Sequence, residues 1–533
     1  MIYKALPAGV RKKAVRQVRE PDPIELELEA APTDPYASPF SVRTANLDRV
    51  VDALAAAGVP CFRVPAQSLV HTVVAVPEEH RARAEAVLAE LAGAGQAGAR
   101  LQPVPLAEGE VTPREPVAPA GDEAAPAAAD PVAIAVYWPV TDPGRRLLMG
   151  VEYACQVEFW AERDGRLEGP RYHASVEAVL PGDAEVEAEE SVFGDFRPYG
   201  TGRLYRTREP FLLPPLEHVD FPIDVVYTWV DGGDPAWLAR KNAALAENGW
   251  ATGNQVAANN SRYLSRDELR YSLRSLHLYA PWVRRIFLVT DDQVPEWLNT
   301  EHPQLTVVSH KEIFGDAGKL PTFNSHAIET RLHHIEGLAE HFIYTNDDVF
   351  LGRPTPPGLF FTPSGQTRVY LSRRRIDAGP PTAGEPPVQS AGKNNRAIIE
   401  REFGRFLAFK IKHIPHAARR SVLREIEERC PTEIAATASH QFRHPGDVSL
   451  LSSLQQHWSY ASGRAVVGEV QSMYRDLADP LLPKRLANAL RKRHHQIFCL
   501  NDTDTDPAQA EAQLAALAEF LPAYFPFASP YER

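Results

Sequence analysis

The stretch that most limits what this chain can fold into is Asp224-Val-Val-Tyr-Thr-Trp-Val-Asp231-Gly-Gly-Asp234-Pro235. A run of β-formers that stops at two acids and two glycines reads as a buried strand delivering carboxylates to a loop. In an open α/β sheet, the carboxyl ends of the strands are where ligands bind. The arrangement recurs at His341-Phe-Ile-Tyr-Thr-Asn346-Asp347-Asp348-Val-Phe-Leu-Gly352. Two acid-tipped strands in one domain suggest a site for a metal and a phosphorylated ligand.

Around these strings, strand-like runs (224–230, 285–290, 305–309, 341–346) alternate with helical ones (266–279, 323–335). That alternation predicts an α/β fold with a mostly parallel, Rossmann-like sheet and crossover helices. Residues 396–475 read as helices, 496–501 as a late strand, and 506–524 as an amphipathic helix. At 533 residues, two or three domains are expected. The reading is a small α/β accessory region at 1–102, a Pro/Ala-rich linker at 103–131 and a β-rich accessory region at 132–218. The domain carrying the chemistry then spans 219–475, and 476–533 adds a strand and helix that pack on it.

Lys plus Arg number 57 against 69 Asp plus Glu, a formal charge of -12 that argues against nucleic acid as a partner. A local basic pocket for a phosphorylated substrate stays open. Cys61, Cys155, Cys430 and Cys499 lie far apart without metal-type spacing, which fits unpaired thiols of a reducing compartment. Met1 to Glu20 is basic without an apolar core, and no stretch holds roughly 18 uninterrupted apolar residues. The expectation is a cytoplasmic protein with no transmembrane segment, touching the inner face of the membrane only peripherally.

Asn346-Asp347-Asp348 is the sharpest local signal, because adjacent buried carboxylates need a cation or strong donors between them. Mg²⁺ or Mn²⁺ bridging a diphosphate suits such oxygen ligands, and an Asx turn capping a strand is the plain alternative. Asp231 is the first ligand candidate beyond its strand, whereas Asp234 precedes Pro235 as a helix N-cap would. Arg270 and Arg274, one turn apart, either face solvent or bind a phosphate. Asn324 and His326 open a helix where an anion can sit. Arg368, Arg373, Arg374, Arg375, Lys393 and Arg396 read as a mobile basic loop able to close over phosphates, or as a solubilising one. His413-Ile-Pro-His416 and His440-Gln-Phe-Arg443-His444-Pro-Gly-Asp447 combine imidazole with rigid turns, suited to proton transfer or phosphate contact.

Taken in order, the blocks 223–235, 265–298, 322–352 and 413–447 resemble the Stealth family of sugar-phosphate transferases. That family includes bacterial capsular polysaccharide phosphotransferases and the α/β subunits of N-acetylglucosamine-1-phosphotransferase. The resemblance covers about residues 222–460. It implies a GT-A-like nucleotide-sugar transferase fold, with Mg²⁺ or Mn²⁺ on Asp347 and Asp348. The implied reaction moves a sugar-1-phosphate from a UDP-sugar, such as UDP-N-acetylglucosamine, to a glycan hydroxyl, and UMP leaves. Asp347, Asp348, His416 and Arg443 then form the catalytic set. Asp231, Arg270, Arg274, Asn324, His326, Asn346 and Lys393 are carried over as donor-binding. Lys393 stands where some relatives place arginine, and Asp231 where relatives can have asparagine. The rival readings are a metal-dependent glycosyltransferase releasing UDP and a noncatalytic glycan-binding scaffold. Oligomeric state stays open.

Overall fold

The computed structural model describes residues 23–533 apart from 67, 94–97, 106–130, 174, 197–201, 250–262, 264, 383 and 503–506. The basic segment Met1 to Glu20 lies outside the described residues, as does nearly all of the linker expected at 103–131.

The acid-tipped string forms the strand Ile223–Thr228, every residue of it buried, in the middle of a sheet. Burial on both faces is what a continuous apolar run demands, so helices must cover both sides. Sheet order is Leu305–Ser309, Ile286–Thr290, Ile223–Thr228, His341–Asn346, His416–Arg419; the first four strands are parallel and the last is antiparallel. This is the mostly parallel α/β domain expected from the alternation.

Successive side chains on the Ile223 strand enter different cores, as a period of two requires. Val225 and Tyr227 pack with Leu269, Leu273 and Leu276 of helix Glu268–Tyr279. Val226 packs with Val422, Ile426, Leu454 and Trp458 on the other face. Asp224, fully buried at the entrance to the strand, accepts from Arg284 at 2.8 and 2.6 Å and from the Ala339 backbone at 2.7 Å. That carboxylate ties the fold together at the end remote from the acid tips.

Three expectations need correction. Residues 396–475 are not all helical: besides Arg420–Arg429, Pro431–Ser439 and Gln455–Ala461 they contain the strands Phe409–Ile411, His416–Arg419, Ala465–Val467 and Ser472–Asp476. The helical reading at 323–335 shrinks to Ser325–Glu329 and one 3-10 turn, Leu332–His334. The basic segment 368–396 is not a loop. Leu371–Arg375 is a strand paired with Phe409–Ile411, and Lys393 and Arg396 sit in helix Pro387–Phe403. Arg396 is fixed there by donating to the carbonyls of Ile376, Asp377 and Leu407.

Toward the N-terminus, one sheet runs Phe62–Val64, Thr72–Pro77, Cys155–Arg163, Ala133–Tyr137, Arg100–Val104. The stretches read as 1–102 and 132–218 therefore contribute strands to the same sheet. Val42, Met149 and Tyr153 from this part reach the core beneath the Ile223 strand. At the other end, Ile497–Asn501 pairs with Val349–Leu351 and Ser472–Asp476, while Phe520, Tyr524 and Phe525 pack into that core. Among the described residues, no helix is long and apolar enough to cross a membrane.

Candidate active site

Register fixes the site. Thr228 pairs with Asn346, so the Asp231 loop and the Asp347-Asp348 turn leave the sheet side by side at its carboxyl edge. Strand Ile497–Asn501 then passes next to that turn, the Leu500 backbone donating to the Asp348 carbonyl at 3.0 Å.

Asp347 and Asp348 meet different surroundings. Burial, then repulsion from Glu268 and Asp348, pushes the Asp347 carboxyl well above the usual carboxylate range. Glu268, at the first turn of its helix, is itself raised to about 7 by burial, although the Arg266 backbone donates to it at 2.5 Å. Burial alone would raise Asp348 too, but the imidazole of His413, with Asn501 and Cys499, outweighs it and holds Asp348 low. Asn501 donates to Asp348 Oδ2 at 2.8 Å and the Cys499 thiol at 3.4 Å. His413 Nε2 stands 3.7 Å from Asp348 Oδ1, too far for a hydrogen bond, and both atoms are otherwise unpartnered and buried. Asp348 in turn raises His413 against the lowering effect of burial.

Three carboxylates repel one another around one strand end, one with an orphaned oxygen, and a cation between them would relieve that repulsion. Oxygen ligands of this kind fit Mg²⁺ or Mn²⁺. His413 stands at the mouth, its side chain 36% exposed, with the Tyr474 ring edge-on at 6.2 Å. Arg443 donates to Ser325 Oγ at 2.8 Å, and its charge is felt at His413 and Tyr344.

The remaining expected residues divide. Asn346 reaches Thr228 Oγ1 at 3.4 Å at the strand end beside the acids. Asp231, half-buried, accepts from the Gly233 backbone at 2.8 Å, and Asp234 N-caps helix Pro235–Glu247. His416 is buried under Tyr344, their rings near-parallel, and burial followed by the His413 charge pushes it down to about 3. Asn324 is a clasp: fully buried, it donates to Asp447 Oδ2 at 2.8 Å and caps the helix that carries His326. His326 Nδ1 lies 3.5 Å from Asp447, which also accepts from His440 at 2.7 Å. Together they set the loop that presents Arg443.

Arg274, Arg270 and Lys393 are not brought to the acids. Arg274 grips Glu532 at 2.8 and 2.7 Å and the Phe525 carbonyl at 3.0 Å. Arg270 pairs with Asp267 at 3.0 Å and lies over Trp297. Both point away from Glu268: at about 100° per residue, Arg270, two residues on, lies about 200° around the helix and Arg274, six residues on, about 240°. Lys393 Nζ is held by Glu385 at 2.6 Å and the Pro380 carbonyl at 3.2 Å.

Sequence reasoning missed Glu268, Cys499, Asn501 and Tyr474 as site residues, and took His416 rather than His413 from the string His413-Ile-Pro-His416. One signal was present: Cys499-Leu-Asn501-Asp502 repeats the form of Thr345-Asn346-Asp347, a second strand ending in Asn-Asp.

Four conserved regions of one family match this chain. Conserved regions 1, 2, 3 and 4 of the Stealth proteins match residues 221–249, 262–369, 412–460 and 488–533. The fourth carries the match past 460 and takes in Cys499 and Asn501. An exopolysaccharide phosphotransferase of Streptomyces coelicolor is 44% identical over 94% of this chain and 85% of that protein. Another of that name and organism is 43% identical over 94% of this chain and 92% of its own length. Exopolysaccharide phosphotransferase CpsY of Mycobacterium tuberculosis is 34% identical over 76% of this chain and 74% of that protein. Among solved structures, the galactosyltransferase LgtC aligns over 57% of this chain and 96% of its own at 11% identity, with a TM-score of 0.29. Strand order, not this distant likeness, defines the fold.

Proposed function

Because the chain belongs to the Stealth family and is a transferase, we propose that it transfers a sugar-1-phosphate from a UDP-sugar to a glycan hydroxyl, releasing UMP, in exopolysaccharide synthesis. The observation that carries this reading is the meeting of Asp347, Asp348 and Glu268 with His413 and the Arg443 loop at one sheet edge.

Asp347 and Asp348 are the residues that would hold Mg²⁺ or Mn²⁺; the orphaned Asp348 Oδ1 and the crowded carboxylates fit a hard cation. Once bound, such an ion supplies charge neutralisation on the donor diphosphate and on the leaving UMP oxygen. Arg443, whose charge reaches His413, adds a positive charge suited to phosphoryl oxygens on which charge spreads during transfer. His413 is partly exposed and stands 3.7 Å from Asp348, and in this reading it takes the acceptor hydroxyl proton. His416, kept neutral by burial, supports Tyr344 and the strand beneath instead. Asn346 and Asp231 line the donor side of the same edge. We place the enzyme in the cytoplasm, where UDP-sugars are available, acting at the membrane's inner face without spanning it; its four free thiols accord with a reducing compartment.

The test is incubation with a panel of UDP-sugars, Mg²⁺ or Mn²⁺ and a glycan acceptor, following released nucleotide by mass. UMP supports the reading and UDP overturns it in favour of glycosyl transfer. Tight glycan binding without turnover of any donor would leave only a scaffold.

A further inference from the structure

Among the described residues, three groups place metal-ligating atoms within 4.8 Å of one another: His333-His334-Glu427, His440-His444-Asp447 and Asp348-His413-Cys499. The first two are internally satisfied. His333 and His334 both bond to Glu427 Oε2, at 2.8 and 2.9 Å, and Arg331 takes the other oxygen at 2.6 Å. His440 binds Asp447 at 2.7 Å, and His444 Nδ1 accepts from the Gly446 backbone at 3.0 Å.

The third differs in kind. Asp348 Oδ1 and His413 Nε2 face each other at 3.7 Å with no other partner, and Cys499 Sγ lies 3.4 Å from the same carboxylate. In a tetrahedral zinc site with Zn–S near 2.3 Å and Zn–N or Zn–O near 2.1 Å, ligand atoms are separated by about 3.4–3.6 Å. The two measured distances are close to that length, although they run to the two different oxygens of Asp348, His413 to Oδ1 and Cys499 to Oδ2, and Oδ2 also accepts from Asn501. The His413 to Cys499 separation is no longer than 4.8 Å, so a small shift of the partly exposed His413 would complete the triangle. Asp347 and Glu268 offer oxygen alone, whereas this triad adds nitrogen and sulfur, the donors that favour zinc-like ions over magnesium.

The geometry points to a second, inhibitory cation site in which a thiophilic divalent ion such as Zn²⁺ is held by Asp348, His413 and Cys499. Binding exchanges the Cys499 S–H for an S–metal bond and releases that proton to solvent. Asp348 is thereby withdrawn from the magnesium-binding pair and His413 from proton transfer. The inference deepens the transferase reading and rests on it for the inhibition alone, not for the binding.

Binding is tested first, on the full chain treated with chelator. One equivalent of Co²⁺ should produce a thiolate-to-cobalt charge-transfer band that Zn²⁺ abolishes, that Mg²⁺ leaves unchanged and that Cys499→Ser lacks. No band, or a band kept in C499S, overturns the site. Should C499S fail to fold, zinc-edge X-ray absorption on the unaltered chain decides: one sulfur neighbour at about 2.3 Å supports the site, and a shell of nitrogen and oxygen alone overturns it. Inhibition is read separately as loss of donor turnover on adding Zn²⁺ at saturating Mg²⁺, and unchanged turnover overturns the regulatory role. A chain that shows the band but turns over no UDP-sugar would sink the transferase reading while leaving the zinc site standing.

Discussion

Replacing Glu268 with glutamine should stabilise the protein when no cation is present, and should do so only above acid pH. Glu268 is 5% exposed, and burial raises its carboxyl from the ordinary 4.5 to about 7. At low pH the carboxyl is protonated in folded and unfolded chains alike and contributes nothing. Between about 4.5 and 7 the unfolded chain ionises first, so the folded state binds more protons and stability falls as pH rises. Above about 7 the penalty is complete, on the order of 3 kcal/mol from the size of the shift. Glutamine keeps an oxygen for the Arg266 backbone donor and carries no charge, so Glu268→Gln should recover about 1–3 kcal/mol at about pH 8 and almost nothing at about pH 4. Urea midpoints of both proteins in chelator at the two pH values measure this. Added Mn²⁺ should then shrink the difference at about pH 8, because wild type gains about 2.7 kcal/mol at a hundredfold excess over its dissociation constant. Equal midpoints at about pH 8, or the same advantage at both pH values, would refute the convergence of Glu268 on the acid pair.

Asp347→Ala should lower donor turnover by about 10²–10³-fold while leaving the urea midpoint near that of wild type; a folded variant with near-normal turnover contradicts the assignment. Arg274→Ala should cost about 1–3 kcal/mol of stability by freeing Glu532, with the donor KM unchanged, whereas a raised KM at unchanged stability would return Arg274 to the donor site. Asp447 is fully buried, and the imidazoles of His326 and His440 and the His444 backbone overcome burial to hold its carboxyl below the usual range. Asp447→Asn should therefore lose about 3 kcal/mol at neutral pH, the deficit fading as pH falls through the carboxylate range; a deficit independent of pH rules out the charge as its source. His413→Gln should reduce kcat with little change in donor KM and flatten the acid limb of the pH–rate profile, and an unchanged limb assigns the proton to another group.

Much of the central sheet was legible because its strands are short, continuous apolar runs that end at a turn residue. The readings 305–309 and 341–346 match the observed strands to the residue, and 224–230 is displaced only slightly from Ile223–Thr228. His416–Arg419 escaped because an edge strand of four residues, His-Ala-Ala-Arg, has no pattern of its own; only its pairing with His341–Tyr344 makes it one. The basic segment 368–396 looked like a loop because its prolines and glycines hid a strand whose partner, Phe409–Ile411, lies beyond the helix that follows. Asp347 and Asp348 were legible as adjacent acids at a strand end, where they stand half-buried. Glu268 reaches them from a helix start, and Cys499 and Asn501 from the chain's end, so only tertiary packing reveals them. Arg274 illustrates the converse. Its spacing from Arg270 suited a phosphate, yet the C-terminal Glu532 takes its Nε and Nη2 donors and the Phe525 carbonyl its Nη1.

A UDP-sugar carrying its isotope at the β-phosphorus, given to the intact enzyme with Mn²⁺ and a glycan acceptor, tests the central claim most directly. The label should travel with the sugar into the acceptor as a phosphodiester, leaving unlabelled UMP, and Asp347→Ala should stop its movement. Label recovered in free UDP, with an unphosphorylated glycan as the product, would contradict the account.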